Sequence, residues 1–501
     1  MSESEVLVPG RLRLDALERW MRTPRLRLAL EESFWPGVER AAALVAAAAA
    51  GERPVYGVNT GFGKLARVRI PPADIEELQR RLVLSHMCGV GPTLDDGTVR
   101  LVLVLKAASL SLGRSGVRRV TIEALLHLLA HDALPVVPAQ GSVGASGDLA
   151  PLAHVAGALV GIGRIRLAGD TLPAGEALAA IGLAPLTLGP KEGLALLNGT
   201  QVSTALALSG LFKAQRLFDT ALVAGAMSTD AAQGSDVPFD PRIQRARNQP
   251  GQAEVAHLLA RLLAGSEIRA SHLTCERVQD PYSLRCQPQV MGAVRDLLID
   301  AGAALEREAN GVSDNPLVFA EEGEILSGGN FHAEPVAFAA DRIAAAMAET
   351  GNLAERRVAL LTDPGLSGLP AFLTPSPGLN SGFMLPQVVA AALATENKHL
   401  AHPVATDTIP TCANQEDHVS LATYAARRLH PMAENLARLL AVELLAAAQG
   451  IELRRPLRSS APLERALVAI REVCPFLTDD RPLGEPIEAV AAMALEGRFR
   501  P

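Results

Sequence analysis

The segment from Gln140 to His154, QGSVGASGDLAPLAH, makes residue choices that no ordinary helix, strand or turn explains. Gly141, Gly144 and Gly147 surround Ala145 and Ser146, and glycine reaches backbone conformations closed to other residues. Asp148 reads as the cap of the apolar run LAPLAHVAGALVGI, with Pro151 in its first turn, where a missing N–H costs nothing. Three readings fit this stretch. The plain one is a glycine loop leading into a helix. In the second, Ser146 is a nucleophile served by His154 or Asp148, although the hydrolase elbow sets a residue between serine and glycine and here Gly147 follows Ser146 directly. In the third the loop is itself the reagent. Attack of the Gly147 nitrogen on the Ala145 carbonyl, with loss of one water on ring closure and a second from Ser146, yields an electrophilic methylidene-imidazolone ring, and that chemistry needs a small residue, then Ser, then Gly.

Other segments could serve such a loop. Tyr56 to Gly63, YGVNTGFG, holds three glycines and one of only three tyrosines in the chain, and it breaks helical periodicity; an aromatic plug on a loop is the bland account. His86 ends a helical pattern before Met87-Cys88-Gly89, where a histidine near the negative dipole end is a respectable C-cap. Asn198 lies in LLNGTQ, inside a long apolar helical pattern, and calls for a hydrogen bond to a neighbouring helix or to a ligand. Gln279, Tyr282 and Arg285 recur at three-residue spacing in VQDPYSLRCQPQ, so one helical turn would align them. Arginine beside Tyr and Gln makes a reasonable carboxylate clamp. Phe331 stands in a second glycine loop, SGGNFHAEP, and Glu416 in NQEDHVS.

The composition narrows the setting. Net charge is −7 with 20% charged residues, which favours neither nucleic acid nor anionic membranes. A small soluble substrate fits better. Five cysteines without C-x-x-C pairing argue against a disulfide framework and for a reducing cytoplasm. The acidic and arginine-rich amino terminus lacks the apolar core of a signal peptide, and the alanine run from Ala41 to Ala50 is too short to span a bilayer. Eleven histidines include no H-E-x-x-H or other ligand spacing, and there is no dinucleotide or nucleoside triphosphate loop. No metal or dissociable cofactor is expected.

The elements that must carry these residues read as almost entirely helical. Ala, Leu and Val dominate a chain with only twelve Phe, three Tyr and two Trp, and Ala and Leu are strong helix formers. Patterns predict a short β-like start at Glu5 to Val8 and then helices at 14–22, 36–50, 72–85, 96–112 and 121–131. A hairpin is expected near 164–168 and a peripheral helix at 174–182. Further helices are expected at 194–230, interrupted at Asn198 to Gln201, and at 253–264, 333–361, 387–399 and 417–450.

Taken in order, YGVNTGFG, SHMCGVG, GSVGASGDLAPLAH, LLNGTQ, VQDPYSLRCQPQ, SDNPLVF, SGGNFHAEP and NQEDHVS resemble the aromatic amino acid ammonia-lyases, in their histidine-type branch. The matches run from about residue 53 to 420. The resemblance implies a mainly α fold of the fumarase/aspartase-like superfamily, with a long central helix bundle and a smaller N-terminal domain holding the prosthetic-group loop. Here that means residues 1–200, followed by a bundle over 201–501 with a peripheral C-terminal helical cap. It implies a cytoplasmic homotetramer with shared active sites. The methylidene-imidazolone would form autocatalytically from Ala145, Ser146 and Gly147. By the same resemblance Tyr56 is the catalytic base, His86 and Glu416 contact the substrate imidazole, and Arg285 binds its carboxylate. Asn198, Gln279, Tyr282 and Phe331 complete the pocket and support ring formation.

The chemistry agrees with those roles. Eliminating ammonia means removing an unactivated β-proton and expelling a poor leaving group, and protein side chains offer no strong electrophile. Capture of the substrate by a built-in electrophile answers that shortage, covalent catalysis with its polarity reversed. Tyr56 as base calls for a depressed pKa. Glu416 decides the substrate: a carboxylate accepts an imidazole N–H but would be stranded against a phenyl ring. The expected reaction is therefore L-histidine to trans-urocanate, the opening step of histidine catabolism. A tyrosine ammonia-lyase, an aromatic aminomutase and a catalytically silent helical scaffold stand as the alternatives. Met87 and Cys88, where the family has small residues, are expected to narrow the pocket.

Overall fold

The computed structural model describes residues 4–61, 63, 67–273 and 278–501. Phe62 of the Tyr56 loop and Cys275 lie outside the described residues. The chain divides into two compact units, each assembled from three stretches.

The first unit comprises Met1–Ser209, Gly302–Ala340 and Pro403–Arg427. Its helices are α1 (Leu14–Met21), α2 (Trp35–Ala50), α3 (Ile75–His86), α4 (Asp96–Ser111), α5 (Arg119–His131), α6 (Leu149–Leu159), α7 (Ala174–Ala180), α8 (Glu192–Leu197) and the first turns of α9 (Gln201–Ala231). Strands are two to four residues long and merely brace loops. One antiparallel pair, Val90–Thr93 with Pro138–Gln140, holds the segment that enters the Ala145 loop. Arg164–Leu167 and Asp170–Pro173 form the expected hairpin.

Helix α4 sits at the centre of this unit. Its sequence, DGTVRLVLVLKAASLS, is buried at every position from Thr98 to Ser111, as a helix apolar on all sides must be. Asp95 starts it by accepting the Thr98 amide at 2.9 Å. Helices α6 and α8 are buried almost throughout. α8 and α9 would form one rod but for the break at Asn198 to Thr200.

The second unit comprises Gly210–Ala301, Asp341–His402 and Arg428–Pro501. Its main helices come from α9, Gln287–Ala309, Glu334–Thr362 and Leu429–Leu453. Met384–Leu400 and Gly484–Glu496 pack on Leu429–Leu453. Small residues allow close approach: a Cβ on Gly210 would lie 2.7 Å from the Leu429 side chain. Arg357 and Glu443, both fully buried, pair at 2.5 Å, and Ser228 donates to the same carboxylate at 2.8 Å.

Some expectations need correction. The helix expected from Asp417 begins only at Ala422, because Glu416 to Leu421 run as a loop that pairs with the Ala145 segment: the Leu421 amide donates to Val143 O at 2.9 Å. It is also broken at Arg428, between Ala422–Arg427 and Leu429–Leu453. Pro241–Arg247 is a helix the polar composition had hidden. Among the described residues no helix is long and apolar enough to cross a membrane.

Candidate active site

Ser146 is held from two sides in the first unit. Its backbone adopts φ +54°, a region that costs a residue with a side chain about 1 kcal/mol or more. Its carbonyl oxygen accepts from Asn198 Nδ2 at 2.9 Å, and its hydroxyl donates to Glu416 Oε1 at 2.9 Å. Gly147 follows with φ +80°, pressed so closely on Gly199 that an added Cβ would lie 2.3 Å from the Gly199 oxygen. The Gly147 N–H reaches Gly144 O only at 3.4 Å, whereas the next amide, that of Asp148, donates to Gly199 O at 2.8 Å.

Asp148 does not cap its helix through its side chain. That carboxylate is fully buried and accepts from Ser203 N at 2.7 Å, Ser203 Oγ at 2.9 Å and Thr423 Oγ1 at 2.6 Å. Burial raises its pKa, with these donors opposing. The residue read as a cap is thus a bracket, tying the loop to the start of α9 and to Thr423.

Tyr56 reaches the same cavity because Asn59 ties off its turn. Asn59 Oδ1 accepts from Val55 N at 2.7 Å, and Nδ2 donates to Ala48 O and Arg53 O. Gly57, at φ +72°, packs on Leu194 where a Cβ would meet a methyl at 2.4 Å. The phenol oxygen accepts from Gly63 N at 3.4 Å. Burial raises the Tyr56 pKa, and Glu416 and Cys412 push the same way against the Gly63 hydrogen bond. The direction is opposite to the depression expected.

His86 closes α3. Its Nδ1 lies 2.8 Å from Leu82 O, an atom that only accepts, so Nδ1 carries the proton and in the neutral ring Nε2 keeps a lone pair. Glu416 is fixed by Thr411, whose hydroxyl donates to Oε2 at 2.7 Å. Between them Cys412, Ala413 and Asn414 all take positive φ, from 50° to 63°, a tight fold-back that turns the Glu416 carboxylate toward Ser146.

Tyr56, His86, Ser146, Asn198, Phe331 and Glu416 all line one cavity of about 1380 Å³ in this unit. Gln415 and Cys412 line it too, as do Leu82 and Leu194; none of these was given a role from the sequence, although Gln415 lies within the block NQEDHVS and Cys412 just before it. Met87 and Cys88 are absent from the lining. Met87 turns away, its sulfur 2.4 Å from where a Cβ on Gly157 would stand, so the expected narrowing is not found.

Gln279, Tyr282 and Arg285 do not line that cavity. Gln279 and Arg285 line another, of about 470 Å³, in the second unit. Only Tyr282 and Arg285 share the short helix Tyr282–Arg285, and Gln279 precedes it, so the alignment expected of all three holds for two. The Arg285 guanidinium lies 4.6 Å above the Tyr282 ring, its Nε is buried without a hydrogen-bond partner among the described residues, and Tyr282 is 70% exposed. His332, Glu334 and His418 bring potential ligand atoms within 4.8 Å of one another, but Glu334 opens a helix, whose N-terminal dipole already steadies a carboxylate and disfavours a cation.

Comparison with known proteins adds four findings. Residues 12–472 match the family described as aromatic amino acid lyase. The histidine ammonia-lyase of Rhodospirillum rubrum is 58% identical over all 501 residues of the chain and 97% of its own length. Among solved structures, the histidine ammonia-lyase of Trypanosoma cruzi superposes with a TM-score of 0.91 at 38% identity, covering 99% of this chain and 94% of that one. The tyrosine aminomutase of Streptomyces globisporus gives 0.93 at 34% identity, over 99% and 98%.

Proposed function

The chain belongs to the aromatic amino acid lyase family, and from that premise we propose that it eliminates ammonia from L-histidine to give trans-urocanate. The chain is a carbon-nitrogen lyase by its full-length likeness to a histidine ammonia-lyase. The observation that carries the assignment is the seat of Ser146, its hydroxyl on Glu416 and its carbonyl on Asn198, in a cavity shared with Tyr56 and His86.

The residues fit a methylidene-imidazolone made from Ala145, Ser146 and Gly147. The Gly147 nitrogen is engaged only by a long hydrogen bond, its Cα has no room for a side chain, and buried Asn198 Oδ1 has no hydrogen-bond partner among the described residues. Once formed, the ring supplies the electrophilic carbon that protein side chains lack.

The chain's own residues supply the rest. Tyr56 removes the β-proton at its phenolate oxygen; its raised pKa makes that oxygen a stronger base while lowering the fraction ionised at neutral pH. His86 Nε2 accepts an N–H from the substrate imidazole. Glu416 Oε1, now held by the Ser146 hydroxyl, accepts the second N–H that the substrate ring carries as an imidazolium, once that hydroxyl has left as water. Cys88, Cys286, Cys412 and Cys474 are free thiols, in keeping with a cytoplasmic enzyme.

Arg285 binds the substrate carboxylate, and we assign it, with Tyr282 and Gln279, to a neighbouring subunit of a homotetramer. An exposed Tyr282 stacked on Arg285 is suited to entering another chain's cavity. Urocanate absorbance after adding histidine to the purified enzyme tests the assignment. Coumarate from tyrosine with no urocanate from histidine would replace it by a tyrosine ammonia-lyase, and a β-amino acid product by an aminomutase.

A further inference from the structure

One buried cation has no part in this chemistry so far. Lys106 interrupts the apolar run LVLVLKAASL in the middle of α4 and is 1% exposed. Placing a charge there is costly unless it does something specific. Its ammonium nitrogen lies 2.8 Å from Asn198 O and 3.2 Å from Ala195 O.

Those two carbonyls belong to the end of α8. In a helix running on into α9 they would accept the amides four residues ahead, at Gly199 and Val202. Lys106 takes the place of that continuation, a cation at a helix C-terminus where the dipole favours one. The chain is then free to leave the helix: Asn198 becomes extended at φ −81° and ψ 135°, and Gly199 turns to φ +128°. Both turned residues grip the loop. Asn198 Nδ2 holds the Ser146 oxygen, and Gly199 O holds the Asp148 amide. The two peptide units bonded to Gly147 are thus fixed from one break in one helix.

We propose that Lys106 is a positioning residue for prosthetic-ring formation, pinning the α8–α9 break so that Asn198 and Gly199 hold Gly147 for attack on Ala145. The inference rests on the reading of Ala145-Ser146-Gly147 as a ring-forming tripeptide. Lys106 does not line the cavity and acts only through its two neighbours. Burial lowers its pKa to about 7, with Asp314 and Asp148 opposing that shift and Lys191 reinforcing it. The amine donates hydrogen bonds in either protonation state, so the grip does not depend on charge alone.

Intact mass of the full-length protein tests it, since a chain that has closed its ring is two waters lighter than the encoded sequence. Lys106→Met keeps the length and removes the donors; Lys106→Gln keeps an amide N–H donor. The expected result is that Lys106→Met melts cooperatively but is dehydrated about a hundredfold more slowly, the scale of a misplacement near 1 Å, and that Lys106→Gln recovers part of the loss. Dehydration of folded Lys106→Met at the unaltered rate overturns the proposal. So does failure of both variants to fold, because the lysine would then support the fold at large. An undehydrated unaltered chain would instead refute the ring reading itself, leaving the two failures distinguishable.

Discussion

The Ser146 hydroxyl and the Glu416 carboxylate, 270 positions apart in sequence, meet at 2.9 Å. The residue that is to lose its hydroxyl and the residue assigned to the substrate imidazole thus occupy each other before the ring exists. Glu416→Gln keeps the shape and removes the charge. A hydrogen bond to a charged group is worth about 1.5–3 kcal/mol, so kcat/KM for histidine is expected to fall roughly 10- to 150-fold. Steady-state kinetics on dehydrated protein checks this, and unaltered kinetics would remove Glu416 from the site.

Ser146→Ala removes the only source of the methylidene carbon. The variant is expected to keep its full encoded mass and to form no urocanate, while retaining its helical circular dichroism. Full turnover by this protein would end the mechanism.

Gly147→Ala forces a side chain into φ +80° and 2.3 Å from the Gly199 oxygen. The backbone part alone costs ~1 kcal/mol or more, and the contact adds to it. A lowered melting temperature together with loss of the two-water mass deficit is the expected outcome; a stable, fully dehydrated variant would show that the two glycines do not need to touch.

The pH dependence follows from Tyr56, whose pKa is raised by burial first and by Glu416 in addition. The phenol must lose its proton to act, so kcat/KM should rise with pH along a limb set by that raised pKa. Glu416→Gln removes a negative neighbour and should move the limb toward lower pH, measured on its residual activity. A limb that stays put or moves to higher pH would separate Tyr56 from the base role.

The proposed sharing of sites between subunits predicts complementation. Ser146→Ala and Arg285→Ala chains should each be nearly inactive, yet mixed tetramers formed by co-expression should regain activity, because some sites draw Ser146 from an Arg285→Ala chain and Arg285 from a Ser146→Ala chain. Absence of any recovery in verified mixed tetramers would place both residues in the same chain's site.

The helices were legible wherever a pattern of Ala and Leu ran unbroken, as in α2 and α4, because burial and propensity point the same way there. Candidate site residues were legible as chemically odd choices, such as Ser146 between glycines or Asn198 inside an apolar run. What stayed hidden depends on contacts between distant segments. Asp148 looks like a cap in its own sequence, and only the arrival of Ser203 and Thr423 turns its carboxylate into a bracket. Likewise the helix expected at Asp417 gives way to a loop because its backbone pairs with Val143. Lys106 did carry a signal, a lone charge in an apolar helix, but its purpose lies at residue 198.

The bracket around Asp148 also sets a clock. Its partner Thr423 comes 275 residues later in the chain, and at 5–20 residues per second a ribosome needs on the order of tens of seconds to supply it. Throughout that interval the nascent Ala145-Ser146-Gly147 has neither Glu416 nor Thr423 to seat it. The seat described for Ser146 and Asp148 is therefore complete only after residue 423 has been made.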